Sequence, residues 1–287
     1  HEVVVLEDAP QLAPHYPRQP GTYDHLYVPR AVYFTGRVDL HDLAWSGDTL
    51  WGVNTVFSCL CTIDARHSFR PEWRPPFVTA IAPEDRCHLN GVAMADGKPV
   101  YVTALGATDS PRGWKEGALD GGVVVHVPSG EIVLDSLAMP HSPRLVDGRL
   151  WFVASATGEV HLAEPGSGKS EVVAEVPGFA RGLTVGEEHV FVGHSRIRKD
   201  HLFGDLPVAR REHSAGVVAI HRETGRVDGA LRYETSCEEI YDVQLIPGRR
   251  PGILGVLDDV HRRALVTPET AYWAADPDPL QPREREP

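Results

Sequence analysis

Residues 140–160 read PHSPRLVDGRLWFVASATGEV, which is the pattern of two short strands joined by a turn. Asp147 and Gly148 supply the turn, because Asp-Gly adopts the positive φ angles that a two-residue hairpin turn needs. The apolar run around Trp151 favours a strand. The stretch therefore predicts a β-hairpin that begins at a histidine, His141, whose role depends on whether the pattern recurs.

The same plan occurs three more times along the chain. A polar residue leads into a short apolar strand, a polar turn follows, and an apolar-aromatic-apolar strand comes next. The aromatic residues mark the register at intervals of 50, 50 and 40 residues; they are Trp51, Tyr101, Trp151 and Phe191. A weaker fifth copy, EEIYDVQLIPGRRPGILGV, begins at residue 238. Second hairpins fill the intervals, and four strands per repeat of this length are the unit of a β-propeller blade.

The repeats predict an all-β fold, a single β-propeller domain over residues 1–275. Six blades are preferred, with five or seven as alternatives, because strands from the two ends of the chain would close a sixth blade. Residues 7–30 contain five prolines and are predicted to be an extended connector. Residues 276–287 are predicted to be a disordered tail.

Composition narrows the classes of partner. The chain has 287 residues, of which 42% are hydrophobic, enough to bury a sizeable core. A net charge of −12 argues against nucleic acid or an anionic membrane surface as a partner. No apolar run is long enough for a membrane span, no signal peptide is visible, and four cysteines suggest no disulfide framework. These features predict a cytoplasmic location.

Alignment on the aromatic markers produces a column of polar residues. His41 and His141 lie ten residues before Trp51 and Trp151, and Arg181 lies ten before Phe191. The second copy has one extra turn residue, which places Asn90 in the column and His88 two residues earlier. The fifth copy is flanked by acidic residues at the equivalent point, namely Glu238, Glu239 and Asp242. Since the innermost strand of every blade lines the central channel, we expect the column to converge on one channel mouth.

The column suggests a metal centre formed by His41, His88, His141 and Glu239. Imidazole ligands with one carboxylate suit a divalent transition metal (Fe, Cu, Zn or Ni) better than Ca²⁺ or Mg²⁺. Three further side chains are candidate catalytic residues: Arg181, Asn90 and Asp242. The alternative is that these polar groups bond neighbouring backbone and line a water-filled channel. Arg181 either clamps a substrate carboxylate or is neutralised by an acidic neighbour, and Asn90 either orients a ligand or forms a turn.

Two other features invite functional interpretation. Cys87 precedes His88, but adjacent strand residues face opposite sides, so a nucleophilic Cys–His pair is not favoured. Residues 193–213 form a long polar stretch that is either a lid carrying Ser195, Arg196 and Arg198 or a plain surface excursion.

Several long motifs resemble a bacterial family of conserved hypothetical proteins over about residues 25–260. They are HDLAWSGDTLWGVNTVFSCL, PPFVTAIAPEDRCHLNGVAMADGKPVYVTALG, MPHSPRLVDGRLWFVASATGEV and EEIYDVQLIPGRRPG. The resemblance implies further strands before the position of His1, so the first blade would be incomplete. The phrase HLNGVAMADGKPVYVTALG is also similar to the gluconolactonase and regucalcin propellers, which hold a divalent metal at the channel mouth and hydrolyse lactones. Their sites use Glu, Asn and Asp, whereas histidines stand here, so that chemistry does not transfer directly.

Together these observations predict a metal-dependent enzyme that acts on a small polar molecule or a peptide side chain at the channel mouth. Histidine-rich ligation slightly favours an oxidoreductase over a lactonase or other hydrolase. The other class is a non-catalytic propeller that binds a protein or peptide on one face. An enzyme requires His41, His88 and His141 to converge, whereas a scaffold requires only apolar or charged patches on its rim.

Overall fold

A computed structural model of the protein describes residues 1–197, 204–246 and 248–275. Within these ranges the regular elements are strands and short 3-10 helices. The strands are, in chain order, β1 (Glu2–Asp8), β2 (His25–Phe34), β3 (Leu40–Ser46), β4 (Thr49–Asn54), β5 (Cys59–Ile63), β6 (Arg70–Trp73), β7 (Leu89–Ala95), β8 (Lys98–Ala104), β9 (Gly122–His126), β10 (Ile132–Leu137), β11 (Pro140–Val146), β12 (Arg149–Ala154), β13 (Glu159–Ala163), β14 (Ser170–Glu175), β15 (Phe179–Val185), β16 (His189–Ser195), β17 (Ala215–His221), β18 (Val227–Tyr233), β19 (Pro251–Ile253), β20 (Ala264–Val266) and β21 (Ala271–Trp273). The 3-10 helices are Pro10–His15, Gly113–Gly117, Pro207–Arg210 and Asp259–Arg263.

Four antiparallel four-stranded sheets follow one another along the chain. We call them blade 1 (β3–β6), blade 2 (β7–β10), blade 3 (β11–β14) and blade 4 (β15–β18). The hairpin of residues 140–160 forms as predicted, with positive φ at both Asp147 and Gly148. The first strands of successive blades pack against each other, β3 on β7, β7 on β11 and β11 on β15, which makes them the innermost strands.

Apolar side chains fill the spaces between neighbouring blades. Trp151, Leu162 and Leu183 belong to a cluster shared by blades 3 and 4. Leu60 and Val102 belong to another cluster, which blades 1 and 2 share. Blade stacking through these side chains holds the inner strands in place.

A fifth sheet has three strands in the order β1, β2, β19, with β1 antiparallel and β19 parallel to β2. The all-β propeller class is therefore confirmed, with five blades, one of the predicted alternatives, in place of the preferred six.

Two local predictions differ from the structure. The proposed fifth copy is not a hairpin: residues 238–246 contain no strand, and only Pro251–Ile253 pairs, as β19. Residues 7–30 are not an extended connector throughout, since a 3-10 helix covers Pro10–His15 and β2 begins at His25. The predicted tail at 276–287 lies outside the described residues.

The chain divides into two compact units, where the sequence predicts one domain. The first comprises His1 and Thr35–Leu245, and the second comprises Glu2–Phe34 and Ile246–Pro287. All four complete blades belong to the first unit. No helix within the described part of the chain has the length and apolar character that a membrane span needs.

A buried ion pair connects the inner strands of three blades. Arg144 on β11 donates to both carboxylate oxygens of Asp42 on β3, at 2.8 and 3.3 Å. Asp42 also accepts from the amide of Val92 on β7, at 3.1 Å. Burial raises the pKa of Asp42, and the guanidinium of Arg144 counteracts this shift. The pair is a consequence of the fold that the sequence analysis did not identify.

Arg144→Met is expected to lower the free energy of unfolding by about 3–5 kcal/mol, because it leaves the Asp42 carboxylate buried without its counter-charge. Denaturant unfolding monitored by far-UV circular dichroism measures the change. The matched control is Arg149→Met, which removes a solvent-exposed pair with Glu171 and should cost less than about 1 kcal/mol. Equal effects of the two substitutions would contradict the assigned role of Arg144.

Candidate functional site

The strand register places the predicted column at equivalent points of the four blades. Leu40, Leu89, Pro140 and Ala180 pair with the last or next-to-last residue of the second strand of their own blades. The residues that follow them are His41, Asn90, His141 and Arg181. In every blade the pairing register shifts at or just after this residue. Such an irregularity bends the strand and changes the direction of a side chain.

His41 is held in one tautomer by its neighbours. Its Nδ1 atom lies 2.7 Å from Oγ1 of Thr55 and 2.9 Å from the carbonyl oxygen of Asp39. Thr55 donates its only hydroxyl hydrogen to the carbonyl of Leu89 in blade 2, at 2.6 Å. Both neighbours of Nδ1 are therefore acceptors, so Nδ1 carries the hydrogen and Nε2 carries the lone pair. Burial, reinforced by His88 and Arg181, lowers the pKa of His41 to about 3.

His141 repeats this arrangement in blade 3. Its Nδ1 atom lies 2.8 Å from Oγ of Ser155 and 3.0 Å from the carbonyl oxygen of Met139. Ser155 donates to the carbonyl of Ala180 in blade 4, at 2.6 Å. Burial, followed by the charge of Arg181, holds the pKa of His141 well below its usual value. Both histidines are therefore neutral imidazoles with an acceptor nitrogen at Nε2.

His88 enters the site from the turn before β7. It occupies the position that Asp39 has before blade 1 and Met139 has before blade 3, and all three residues have positive φ. Its Nδ1 atom lies 3.0 Å from both carboxylate oxygens of Asp85, which also accepts from the indole of Trp114 at 3.0 Å. The His88 ring lies 4.9 Å from that of His41, edge to face. The third histidine thus also has its Nδ1 engaged.

Arg181 takes the column position of blade 4. Its guanidinium carbon lies 3.8 Å above the ring centre of Tyr241. The Tyr241 hydroxyl donates to the carbonyl of Leu40 in blade 1, at 2.9 Å, which fixes the ring. Guanidinium groups stack in this way while their N–H groups remain in the plane of the group.

The irregular segment 237–245 completes the site. Ser195, at the end of β16, exchanges hydrogen bonds with both the amide and the carbonyl of Ile240. A Cβ at Gly182 would lie 2.6 Å from the Cα of Asp242, and one at Gly193 would lie 2.6 Å from a methyl carbon of Ile240. Only glycine therefore lets the segment lie so close to blade 4.

These residues line one cavity of about 870 Å³, within the size range of small-molecule sites. Five of the seven predicted site residues line it, namely His41, His88, His141, Arg181 and Glu239. Ser195 and Arg196 of the predicted lid also line it, whereas Arg198 lies outside the described residues.

Asn90 and Asp242 do not line this cavity. Asn90 is buried and accepts a hydrogen bond from Thr103 at 2.7 Å. Asp242 accepts from the amide of Val243 and lies 3.8 Å from Arg144. Cys87 is buried, and burial raises the pKa of its thiol to about 12, which does not suit a nucleophile.

The side chains around the cavity are not positioned as a formed metal site in the described part of the chain. In the part of the chain that the structure describes, no three His, Cys, Asp or Glu side chains are arranged to hold a metal ion. The ligand types for a transition metal are present, but their donor atoms do not meet at one point.

Four participants were missed by sequence reasoning: Thr55, Asp85, Trp114 and Tyr241. Thr55 was detectable, because Thr55, Ser155 and Ser195 each lie 14 residues after their column residue. Asp85 and Trp114 lie in irregular connections outside the repeat, so the repeat spacing does not point to them. Tyr241 lies in the segment that the repeat predicts to be a strand, whereas the structure has no strand there.

Known proteins with similar arrangements of strands were found among solved structures. The hydrazine synthase of Kuenenia stuttgartiensis is 11% identical with a TM-score of 0.42, covering 69% of this chain and 51% of that chain. YCF48 bound to D1 peptide is 10% identical with a TM-score of 0.43, covering 77% and 62%. The computationally designed Ika8 protein is 10% identical with a TM-score of 0.39, covering 72% and 53%.

This chain thus spans about half the length of the hydrazine synthase and Ika8 chains. Likeness at this level carries no information about function. None of these three proteins is a gluconolactonase or regucalcin, so that similarity stays an expectation.

No curated protein matches the sequence. The family model described as "Domain of unknown function (DUF4915)" matches residues 1–254. This match covers most of the chain, and the protein therefore belongs to the DUF4915 family.

Proposed function

We propose that the protein is a metal-dependent enzyme that acts on a small polar molecule in the cavity. A divalent transition metal (Fe, Cu, Zn or Ni) would be bound by His41, His88 and His141, with Glu239 as a further ligand. One observation carries the proposal: each of the three imidazoles has its Nδ1 engaged by a hydroxyl, carbonyl or carboxylate oxygen. Metal-binding histidines almost always have such a partner on the second ring nitrogen, because it fixes the tautomer and the ring orientation.

The chemistry of the residues fits a transition metal in two respects. Imidazole is a preferred ligand of these metals, and a histidine must be neutral to bind one. His41 and His141 are neutral because burial lowers their pKa values. Since the donor atoms do not meet at one point, binding would require the inner strands to shift so that the rings approach one another, with each Nδ1 keeping its oxygen partner.

A bound metal of this type supplies either an activated water or a redox centre. Among these, the imidazole-rich ligand set slightly favours redox chemistry over lactone hydrolysis. Arg181 would orient the substrate, since its stacked guanidinium lines the same cavity.

The contact between His88 and Asp85 also favours a second candidate function, acid–base catalysis without a metal. A carboxylate that accepts from Nδ1 of a histidine fixes the tautomer and the ring orientation, and so positions Nε2 as a general base. In this case His41 and His141 would act as neutral hydrogen-bond acceptors for the substrate.

Zinc binding tests the metal proposal directly. The 287-residue chain, purified without a tag and stripped of metal, is expected to take up about one equivalent of Zn²⁺ in equilibrium dialysis, quantified by elemental analysis. His141→Ala is expected to lose that equivalent because it removes one of three imidazole ligands. His126→Ala is the matched control, since His126 bonds Ser129 outside the cavity.

No uptake by the parent protein, or full uptake by His141→Ala, would contradict the metal proposal. Acid–base catalysis would then require that His88→Ala abolish turnover while zinc binding stays absent. If the protein takes up no zinc, and if neither His141→Ala nor His88→Ala changes turnover, the non-catalytic propeller is favoured.

The hydroxyls behind the histidines provide a second prediction. Thr55→Val and Ser155→Ala are each expected to weaken zinc affinity about 10- to 100-fold, because the Nδ1 hydrogen loses an acceptor that orients the ring. Thr55→Ser keeps the hydroxyl and should retain affinity near the parent value. Competition against a chromophoric chelator measures the constants. Equal affinity of Thr55→Val and Thr55→Ser would show that the hydroxyl plays no part.

Neutral histidines also predict a pH dependence of stability. The folded-state pKa of His41 is about 3 against an ordinary value of 6.5, so the unfolded chain binds the proton more readily. The stabilisation is complete above pH 6.5 and is lost as the pH falls towards 3. In metal-free protein the free energy of unfolding should fall between pH 6.5 and about 5, by up to about 1.4 kcal/mol per pH unit for each buried neutral histidine.

His41→Gln and His141→Gln should each reduce this slope, because glutamine does not titrate. Urea unfolding at a series of pH values measures the slope, and His126→Gln serves as the control. An unchanged slope in both cavity variants would contradict the assigned protonation states.

A further inference from the structure

We infer that the cavity binds a carboxylate with an apolar or aromatic substituent, and that Arg181 is the residue that receives the carboxylate. This inference rests on the proposed function only in placing the substrate in the same cavity.

The geometry of Arg181 suits a planar anion. Tyr241 supports one face of the guanidinium at 3.8 Å, and the tyrosine is itself held by its bond to Leu40. A guanidinium supported on its face offers its N–H groups at its edge, where they can form a pair of parallel hydrogen bonds to a carboxylate. The side chain is therefore oriented before any ligand arrives, which reduces the entropy lost on binding.

Arg181 also lies beside the two neutral histidines. Its positive charge is one of the causes that lower the pKa values of both His41 and His141. Because Arg181, His41 and His141 line the same cavity, a carboxylate on Arg181 would place the rest of the ligand in the space that both histidines line. This space is where the proposed chemistry would occur.

The charges of the cavity favour a monoanion over a dianion. Among the described residues, four cationic side chains line it, although the whole chain carries a net charge of −12; they are Arg112, Lys115, Arg181 and Arg196. Three acidic side chains of the described part of the chain line the same space, namely Asp39, Asp85 and Glu239. Among these described groups the cations exceed the acids by one, so a monoanion would neutralise the cavity, whereas a phosphate dianion would leave it with a net negative charge.

The remaining wall is apolar. It is formed by Leu105, Trp114, Met139, Phe179 and Ile197. Met139 is fully buried and Trp114 almost fully buried, and both belong to a packed apolar cluster that lies behind this wall. An apolar substituent on the ligand would cover this wall and gain free energy by leaving water.

Thermal unfolding of the metal-stripped full chain gives the first test. The probes are benzoate, 3-phenylpropionate and 4-methylpentanoate at millimolar concentration, each paired with its alcohol (benzyl alcohol, 3-phenylpropanol and 4-methylpentanol). We expect the carboxylates to raise Tm and the alcohols to raise it much less, because only the carboxylates pair with Arg181. If no carboxylate raises Tm, if the alcohols act equally, or if inorganic phosphate acts more strongly, the inference is wrong.

Titration calorimetry with the strongest carboxylate tests the residue. Arg181→Met should weaken binding about tenfold to a hundredfold, and Arg181→Lys should weaken it less, because it keeps the charge but loses the fork. Arg222→Met is the control, since Arg222 pairs with Asp147 outside the cavity. Unchanged affinity in Arg181→Lys and Arg181→Met would overturn the inference; if the methionine variant fails to fold, the lysine variant decides.

Zinc uptake by the same variants separates this inference from the proposed function. Arg181→Met should still bind zinc, because Arg181 is not a ligand. Normal zinc uptake without carboxylate binding by the parent would refute only the carboxylate inference. Carboxylate binding that depends on Arg181 without any zinc uptake would refute only the metal proposal.

Discussion

The hydroxyl groups of Thr55 and Ser155 make the hydrogen bonds on which the candidate site depends. Each accepts the Nδ1 hydrogen of a histidine in its own blade and donates to a carbonyl of the neighbouring blade. A hydroxyl has a single hydrogen, so the bond to the next blade determines which tautomer the histidine adopts. The contact that joins two blades thereby also directs a lone pair into the cavity.

The column residue and the hydroxyl residue that follows it have different roles in different blades. Blades 1 and 3 use a histidine followed fourteen residues later by a hydroxyl. Blade 4 keeps the hydroxyl, as Ser195, but has Arg181 in place of the histidine, and the serine binds the irregular segment. Blade 2 has Leu105 in place of the hydroxyl, and Asn90 turns away from the cavity. His88 instead lines the cavity from the preceding turn, where it has a positive φ.

Repetition explains how much could be predicted from the sequence. The aromatic markers predicted the hairpins and the column, because copies of a repeated unit can be aligned with one another within one sequence. The same reasoning failed at residue 238, where apolar residues and turn formers match the repeat but the segment forms no strand. The segment instead packs closely against Gly182 and Gly193, a tertiary contact that no local pattern contains. Asp85 and Tyr241 were missed because they lie outside the repeat, on connections whose paths depend on the completed fold.

The two glycines of blade 4 also impose an order on the assembly of the cavity. His41, His141 and Arg181 lie in inner strands and His88 lies in the turn before β7, all of which exist once four blades have formed. Tyr241 and Glu239 join the cavity only when the following segment packs against Gly182 and Gly193. During synthesis from the N-terminus, the imidazole wall would thus precede the aromatic support of the arginine. A nascent chain that has not yet emerged beyond residue 236 would present the three histidines in an open cleft, and anion recognition would begin only with the last nine residues of the first unit.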